Sequence, residues 1–251
     1  MNNQVKKYAV AIAVIGMFVS NADDAVASTS FNSYATLDFA IGSITGASTD
    51  YSGLEMSASF SRFYESYTSV TGDGGIHDDN LDIPFISGPM LVGGSFTHTF
   101  AFDGGVSDGT IDYNHLGLYD IGFVNNGAEA FDITLNMSYR LFAEVTGGRT
   151  AFSSVMIGYS DDLGEFYGVD SIDAAGYLPI TSAFSEYAAP YTFTLAAGDS
   201  KMFYIDVNHY GYLEANAAPV PLPAAAWSFL AGLLGIVGMK KRKLAFNEKI
   251  A

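Results

Sequence analysis

The clearest periodicity in the chain lies in residues 131–141, where Phe131, Ile133, Leu135, Met137, Tyr139 and Leu141 alternate with Asp132, Thr134, Asn136, Ser138 and Arg140. A period of two over that length predicts a strand with one face buried. Ahead of it, Ile121-Gly122-Phe123-Val124 leads into Asn125-Asn126-Gly127. Asn-Gly supplies the positive φ angles of tight turns, so residues 116–141 read as a β-hairpin. Residues 95–102 alternate as strictly, with Phe96, His98, Phe100 and Phe102 on one face, where His98 reads as a hydrogen-bonded core or edge histidine. Further strands are expected over residues 31–41, 54–64, 151–159, 191–195 and 202–208. The inward sets of the last two are Tyr191, Phe193, Leu195 and Phe203, Ile205, Val207.

Between these strands, residues 69–94 and 160–189 are rich in Gly, Ser and Asp, which favour turns, and both read as surface loops. Each carries clustered carboxylates, Asp78, Asp79 and Asp82 in the first and Asp161 and Asp162 in the second. Hard cations prefer oxygen ligands, so calcium is the one cofactor these loops suggest, although the spacing of a calcium-binding helix-loop-helix is absent. Short strands, turn signals between them and no helix-period segment of useful length predict an all-β fold, an antiparallel β-sandwich of immunoglobulin-like or jelly-roll type. A membrane β-barrel would need a regular series of ten-residue alternating segments, which the chain lacks.

Composition narrows the chemistry. The chain has 251 residues, 49% of them hydrophobic and 15% charged, enough for one domain with a sizeable core. With no cysteine, thiolate chemistry and disulfides are excluded. Residues 28–219 hold only Arg62, Arg140, Arg149 and Lys201 against 24 acidic residues, a formal charge of −20. Such a surface repels phosphate backbones, so nucleic acid is not an expected partner. No Gly-x-Ser-x-Gly, His-Glu-x-x-His or phosphate-cradling motif is present, and His77, His98, His115 and His209 are scattered singly, so no catalytic residue is assigned. Tyrosine is abundant, and rings exposed on a sandwich would suit the C–H faces of sugars.

The two ends read as addresses. Residues 1–27 have the three parts of a secretory signal: Lys6 and Lys7, an apolar stretch over residues 8–19, and small residues Ala25 and Ala27 ahead of Ser28, where signal peptidase is expected to cut. After the expected domain at 28–214 and a linker at 215–219, Pro219, Pro221 and Pro223 hold the chain extended. Residues 224–239 then carry no charge, about 24 Å as a helix, and end on Lys240, Lys241, Arg242 and Lys243. That is a short transmembrane helix with a stop-transfer cluster, leaving residues 244–251 as a cytoplasmic tail.

The order of motif, apolar helix and basic cluster over residues 220–243 resembles the PEP-CTERM family of sorting signals. It is most similar to the VPLPA variant, whose motif is matched letter for letter by Val220, Pro221, Leu222, Pro223 and Ala224. The resemblance implies a Gram-negative source, an exosortase as processing partner and an inner-membrane-anchored precursor. Its product would be an exported protein of the cell surface or extracellular matrix, associated with exopolysaccharide. For residues 28–219 two readings then stand: a non-catalytic structural protein, or a sugar-binding or calcium-bridged adhesion module.

Overall fold

A computed structural model describes residues 28–216 except 79, 81, 148, 149 and 177–179. The expected signal sequence, sorting signal and tail lie outside the described residues, which form ten strands and no helix. The strands are β1 (Thr29–Gly46), β2 (Leu54–Arg62), β3 (Tyr67–His77), β4 (Ile83–Pro89), β5 (Ser95–Asn125), β6 (Phe131–Thr146), β7 (Ala151–Asp161), β8 (Tyr167–Ala175), β9 (Ile180–Leu195) and β10 (Ser200–Ala215). Every pairing is antiparallel.

The architecture hangs on β5, which is shared by two layers. One edge of its first half pairs with β1, and the same edge of its second half pairs with β10. Its other edge is covered by β3 and then β2, with β4 beyond β2. The layers are therefore β9-β6-β1-β5 and β8-β7-β10-β5-β2-β4, giving an all-β antiparallel sandwich joined into a barrel-like form along β5. β1 and β6 pack face to face on β7, and β6 also packs on β8, without hydrogen-bonded ladders between the layers.

Such a long strand serves two sheets because it bends where Gly109 faces Gly72. Both have positive φ, +119° and +73°, and a Cβ on either would lie within about 2 Å of a carbonyl oxygen of the partner strand. Across the bend the inward residues change from even numbers (Phe100, Phe102, Val106) to odd (Ile111, Tyr113, Tyr119, Ile121, Phe123). One residue of slip at the bend keeps both halves facing the core, since otherwise the apolar set would turn outward.

The alternation over residues 131–141 describes β6 correctly: Phe131, Ile133, Leu135, Met137, Tyr139 and Leu141 are all buried. The hairpin reading is not borne out. β6 pairs with β1 and β9, never with β5, so residues 126–130 cross from one layer to the other as an arch. Gly127 does not take a positive φ. What holds the arch is Asn125, fully buried, whose side-chain amide donates to the carbonyls of Glu129 (2.7 Å), Leu195 (3.0 Å) and Ala196 (3.0 Å) and whose oxygen accepts the Gly127 N–H (2.9 Å). This arch and the β9–β10 connection are thereby stitched together, with Asn125 and Asp199 adding a backbone bond of 2.9 Å.

The two expected loops are also corrected. Residues 69–94 contain most of β3 and all of β4, and residues 160–189 contain β8 and much of β9. β3 is exposed along nearly its whole length, so its ladder to β5 carries it without an apolar face that a periodicity could betray.

Candidate functional site

The carboxylates singled out as cation ligands have protein partners. Arg62 Nη1 donates to Asp78 Oδ2, and the Arg62 backbone N–H donates to Asp82 Oδ1 at 3.0 Å. Asn80 between them clamps the Ala101 backbone through both atoms of its amide, 2.6 Å and 2.9 Å, so this loop is stapled to β5. Asp79 lies outside the described residues.

Asp161 and Asp162 flank the ammonium of Lys201, at 2.9 Å and 3.9 Å, with Glu165 at 3.6 Å. Lys201 and Asp161 are both buried. The ammonium lies 5.7–5.9 Å from the ring centres of Tyr191, Phe193 and Phe203, while Tyr191 OH donates to Asp161 Oδ2 at 3.2 Å. Burial opposes the charged form of Asp161, but the Lys201 ammonium and the N–H groups of Phe166 and Glu165 outweigh it and hold the carboxyl below its usual range. Burial likewise opposes the charge on Lys201, and Asp161 and its neighbours raise it above the usual lysine range. This is a closed ion pair. Among the described residues no group of three or more His, Asp or Glu side chains is arranged to hold a metal ion.

A serine and a histidine do meet, Ser33 Oγ lying 3.0 Å from His209 Nδ1, but both are completely buried. Burial, helped by nearby His115, pulls His209 down to about 3, so the ring is neutral at neutral pH and walled in by Phe100 and Phe102. The pair packs the core and has no approach for a substrate. His98 is placed as expected, on the apolar face against Phe60, with Nδ1 2.9 Å from Tyr119 OH.

The open chemistry is on the outer face of β10. Its inward residues are Phe203, Ile205, Val207, His209, Gly211 and Leu213, so Tyr204, Asp206, Asn208, Tyr210, Tyr212 and Glu214 point away from the core. A cleft of about 350 Å³ lies beside them, walled by Tyr67, Asp112, Phe152, Asn208, Tyr210 and Tyr212. Tyr67 is 47% exposed, Tyr204 43%, Tyr210 38% and Tyr212 37%, and the Phe152 and Tyr210 rings lie 5.5 Å apart. Side chains as large as these are normally covered, and here they share one sheet face.

Beneath the cleft the fold makes room for this face. Gly211 is inward, and a Cβ there would meet Phe152 O at 2.4 Å and Tyr113 OH at 2.6 Å. The missing side chain leaves room on the core side of the sheet for the buried Tyr113 ring, whose OH lies 2.8 Å from Ser153 Oγ. Around the rim Tyr67 OH donates to Asp112 Oδ1 at 3.2 Å, and Tyr212 OH to Glu214 Oε2 at 3.5 Å. Burial first, then these carboxylates, raise the phenol pKa of Tyr67 and of Tyr212, so both remain neutral donors. The side-chain oxygen of Asn208 has no hydrogen-bond partner among the described residues. Two larger concavities, of about 600 and 550 Å³, lie along the first half of β5, the first walled mainly by glycine backbone and short side chains and the second beside the end of β3 and the start of β4. They offer no comparable set of ring faces.

A strand ending at residue 208 hides this site, because Tyr210 and Tyr212 then fall outside it. The signal that finds it is the continued alternation of Tyr204, Asp206, Asn208, Tyr210 and Tyr212, masked by the non-apolar inward residues His209 and Gly211.

No family model matches the chain, and no curated protein matches it. Among solved structures, TmCBM61 in complex with β-1,4-galactotriose is 13% identical over 38% of this chain and 70% of that one, with a TM-score of 0.13. A β-glucuronidase from glycoside hydrolase family 2 is 6% identical over 69% of this chain and 21% of that one, again with a TM-score of 0.13. An anti-sigma factor domain-containing protein from Clostridium clariflavum is 8% identical over 76% and 83%, with a TM-score of 0.11. At these TM-scores the likenesses carry no argument about this fold or its use.

Proposed function

We propose that this chain is an exported, non-catalytic glycan-binding protein of the cell surface or extracellular matrix, which holds polysaccharide on the tyrosine face of β10. The observation that carries this reading is the cleft of exposed Tyr67, Tyr210 and Tyr212 with Phe152, mounted on paired strands and edged by carboxylate and amide groups. Ring faces stack on the C–H faces of sugars, and polar side chains beside them bond to hydroxyls. Tyrosine suits this work because two χ angles fix a large amphipathic surface at small entropic cost. The sandwich topology is proposed as jelly-roll-type rather than immunoglobulin-like, since a single bent strand, β5, serves both layers.

Export and sorting rest on the two ends of the sequence. Residues 1–27 act as a signal sequence, and the Val220–Ala224 motif with its apolar segment and Lys240 to Lys243 presents the chain to an exosortase, which releases it from the inner membrane. Intact-mass measurement of the protein recovered from outside the cell tests this part: a mass lacking residues 1–27 and the basic cluster is expected, and recovery of the full tail contradicts it. Affinity electrophoresis through gels cast with different polysaccharides tests the binding. Retardation by at least one of them is expected, and unchanged mobility in all of them favours a purely structural protein.

A further inference from the structure

We propose that the tyrosine face of β10 takes a polymer of amino sugars carrying free ammonium groups, in preference to neutral or uronic-acid chains. This deepens the glycan reading above and rests on it.

The inference comes from where charge stands relative to the rings. Register pairs Tyr204 with Asp120 and Tyr212 with Asp112 on β5, and Asp206 and Glu214 each follow a tyrosine by two residues on the same face of β10. Each end of the row thus sets a ring face beside carboxylates. No lysine or arginine occupies an outward position on β10, β7 or the second half of β5. Lys201, the one buried lysine or arginine among the described residues, is turned inward and already shared by Asp161, Asp162 and Glu165.

A sugar bearing an ammonium group meets both features, its C–H face on the ring and its charge on the carboxylate. A uronic-acid chain brings like charges together. A neutral chain covers the carboxylates without a counter-charge, which costs free energy. Asp206 is in keeping with the assignment: burial, then the charge of Asp120, holds its carboxyl above the usual range, and a cation bound beside the pair would offset the repulsion between them. Tyr204 and Tyr212 are eight residues apart on an extended strand, about 27 Å, so the face matches an oligosaccharide rather than one sugar ring.

The test is calorimetry on the full-length chain in a neutral detergent, at mildly acid pH where the ligand amines are protonated. The titrants are hexasaccharides of β-1,4-linked glucosamine, N-acetylglucosamine, glucose and galacturonate, with oligolysine as a charge control. The glucosamine hexamer should bind about tenfold or more tighter than the other sugars, and added salt or the D112N/D206N double substitution should shrink that preference. Equal binding of the acetylated or neutral hexamer, or tighter binding of the uronate, overturns the ammonium inference and leaves the glycan reading standing. Oligolysine binding as tightly as glucosamine, and unaffected by Y210A/Y212A, overturns it as well. Binding of no sugar overturns both readings.

Discussion

The Lys201 cluster and the tyrosine face are made from the same groups, tyrosine rings and carboxylates, and both are carried by β10. Lys201 is on an inward position near the start of the strand, and Tyr212 is on an outward position near its end. Inward, a single ammonium gathers Asp161, Asp162, Glu165 and Tyr191 into a closed set in which every charge has a partner. Outward, β10, β7 and the second half of β5 present no lysine or arginine among the described residues, so Asp112, Asp120, Asp206 and Glu214 stand beside exposed rings without an outward cation on these strands. Strand parity decides which of two chemically similar clusters is a structural lock and which is a surface with unmet demand. Carboxylate density along the sequence does not.

If the inward cluster is a lock, breaking one half of it has the largest effect. Asp161→Asn leaves a buried ammonium with only the weaker partners Asp162 and Glu165, and should cost about 3 to 5 kcal/mol in urea unfolding. Replacing both members, as D161L/K201M, should recover most of that loss, because the apolar pair removes the desolvation cost along with the bond. A single substitution as mild as the double one would show that the cluster is solvated and that the contrast with the outer face is weak.

His209 gives the next effect, through pH. Its folded pKa is near 3, below an unfolded value of about 6.5. Between those values the unfolded chain binds a proton that the folded chain does not, so stability is present above about pH 6.5 and lost as pH falls through the window. From pH 7 to pH 4 the loss attributable to this ring is about 3 kcal/mol. It is read as the difference in acid sensitivity between the wild type and His209→Leu, and equal acid sensitivity in the two proteins contradicts it.

Asn125 comes third. Asn125→Ala removes the donors to Glu129, Leu195 and Ala196 at once and should cost about 2 kcal/mol in the same denaturant assay. Faster hydrogen exchange at residues 126–130 and 196–199 should accompany it. Loss without local exchange would mean that the arch is held by something else.

How much of this was legible differs element by element. β6 was, because six inward apolar residues alternate with polar ones and nothing interrupts them. β3 was not, because its glycines and Asp73 carry no apolar period and the strand exists by its ladder to β5 alone. Asn125-Asn126-Gly127 reads as a hairpin turn by local chemistry, yet the buried Asn125 amide spends its bonds on the β9–β10 connection, a contact some 70 residues away. Tertiary partners overrode turn preference there. Of the candidate site, the abundance of tyrosine was visible and its clustering was not, since His209 and Gly211 interrupt the apolar run that would have carried the strand as far as Tyr212. The partners of the acidic residues were hidden for the complementary reason: Arg62 and Lys201, distant in sequence, hold Asp78, Asp82, Asp161 and Asp162.

The smallest expected change in stability belongs to the outer face, and it accompanies the most direct test of the central claim. Tyr210→Ala with Tyr212→Ala removes two partly exposed rings, and the unfolding free energy should stay within about 1 kcal/mol per site of wild type. The measurement is the affinity of the full-length chain for the polysaccharide that retards it most, compared between wild type and this double variant. The account predicts at least about a tenfold loss of binding with the melting temperature nearly unchanged. Undiminished binding in a folded double variant would contradict it.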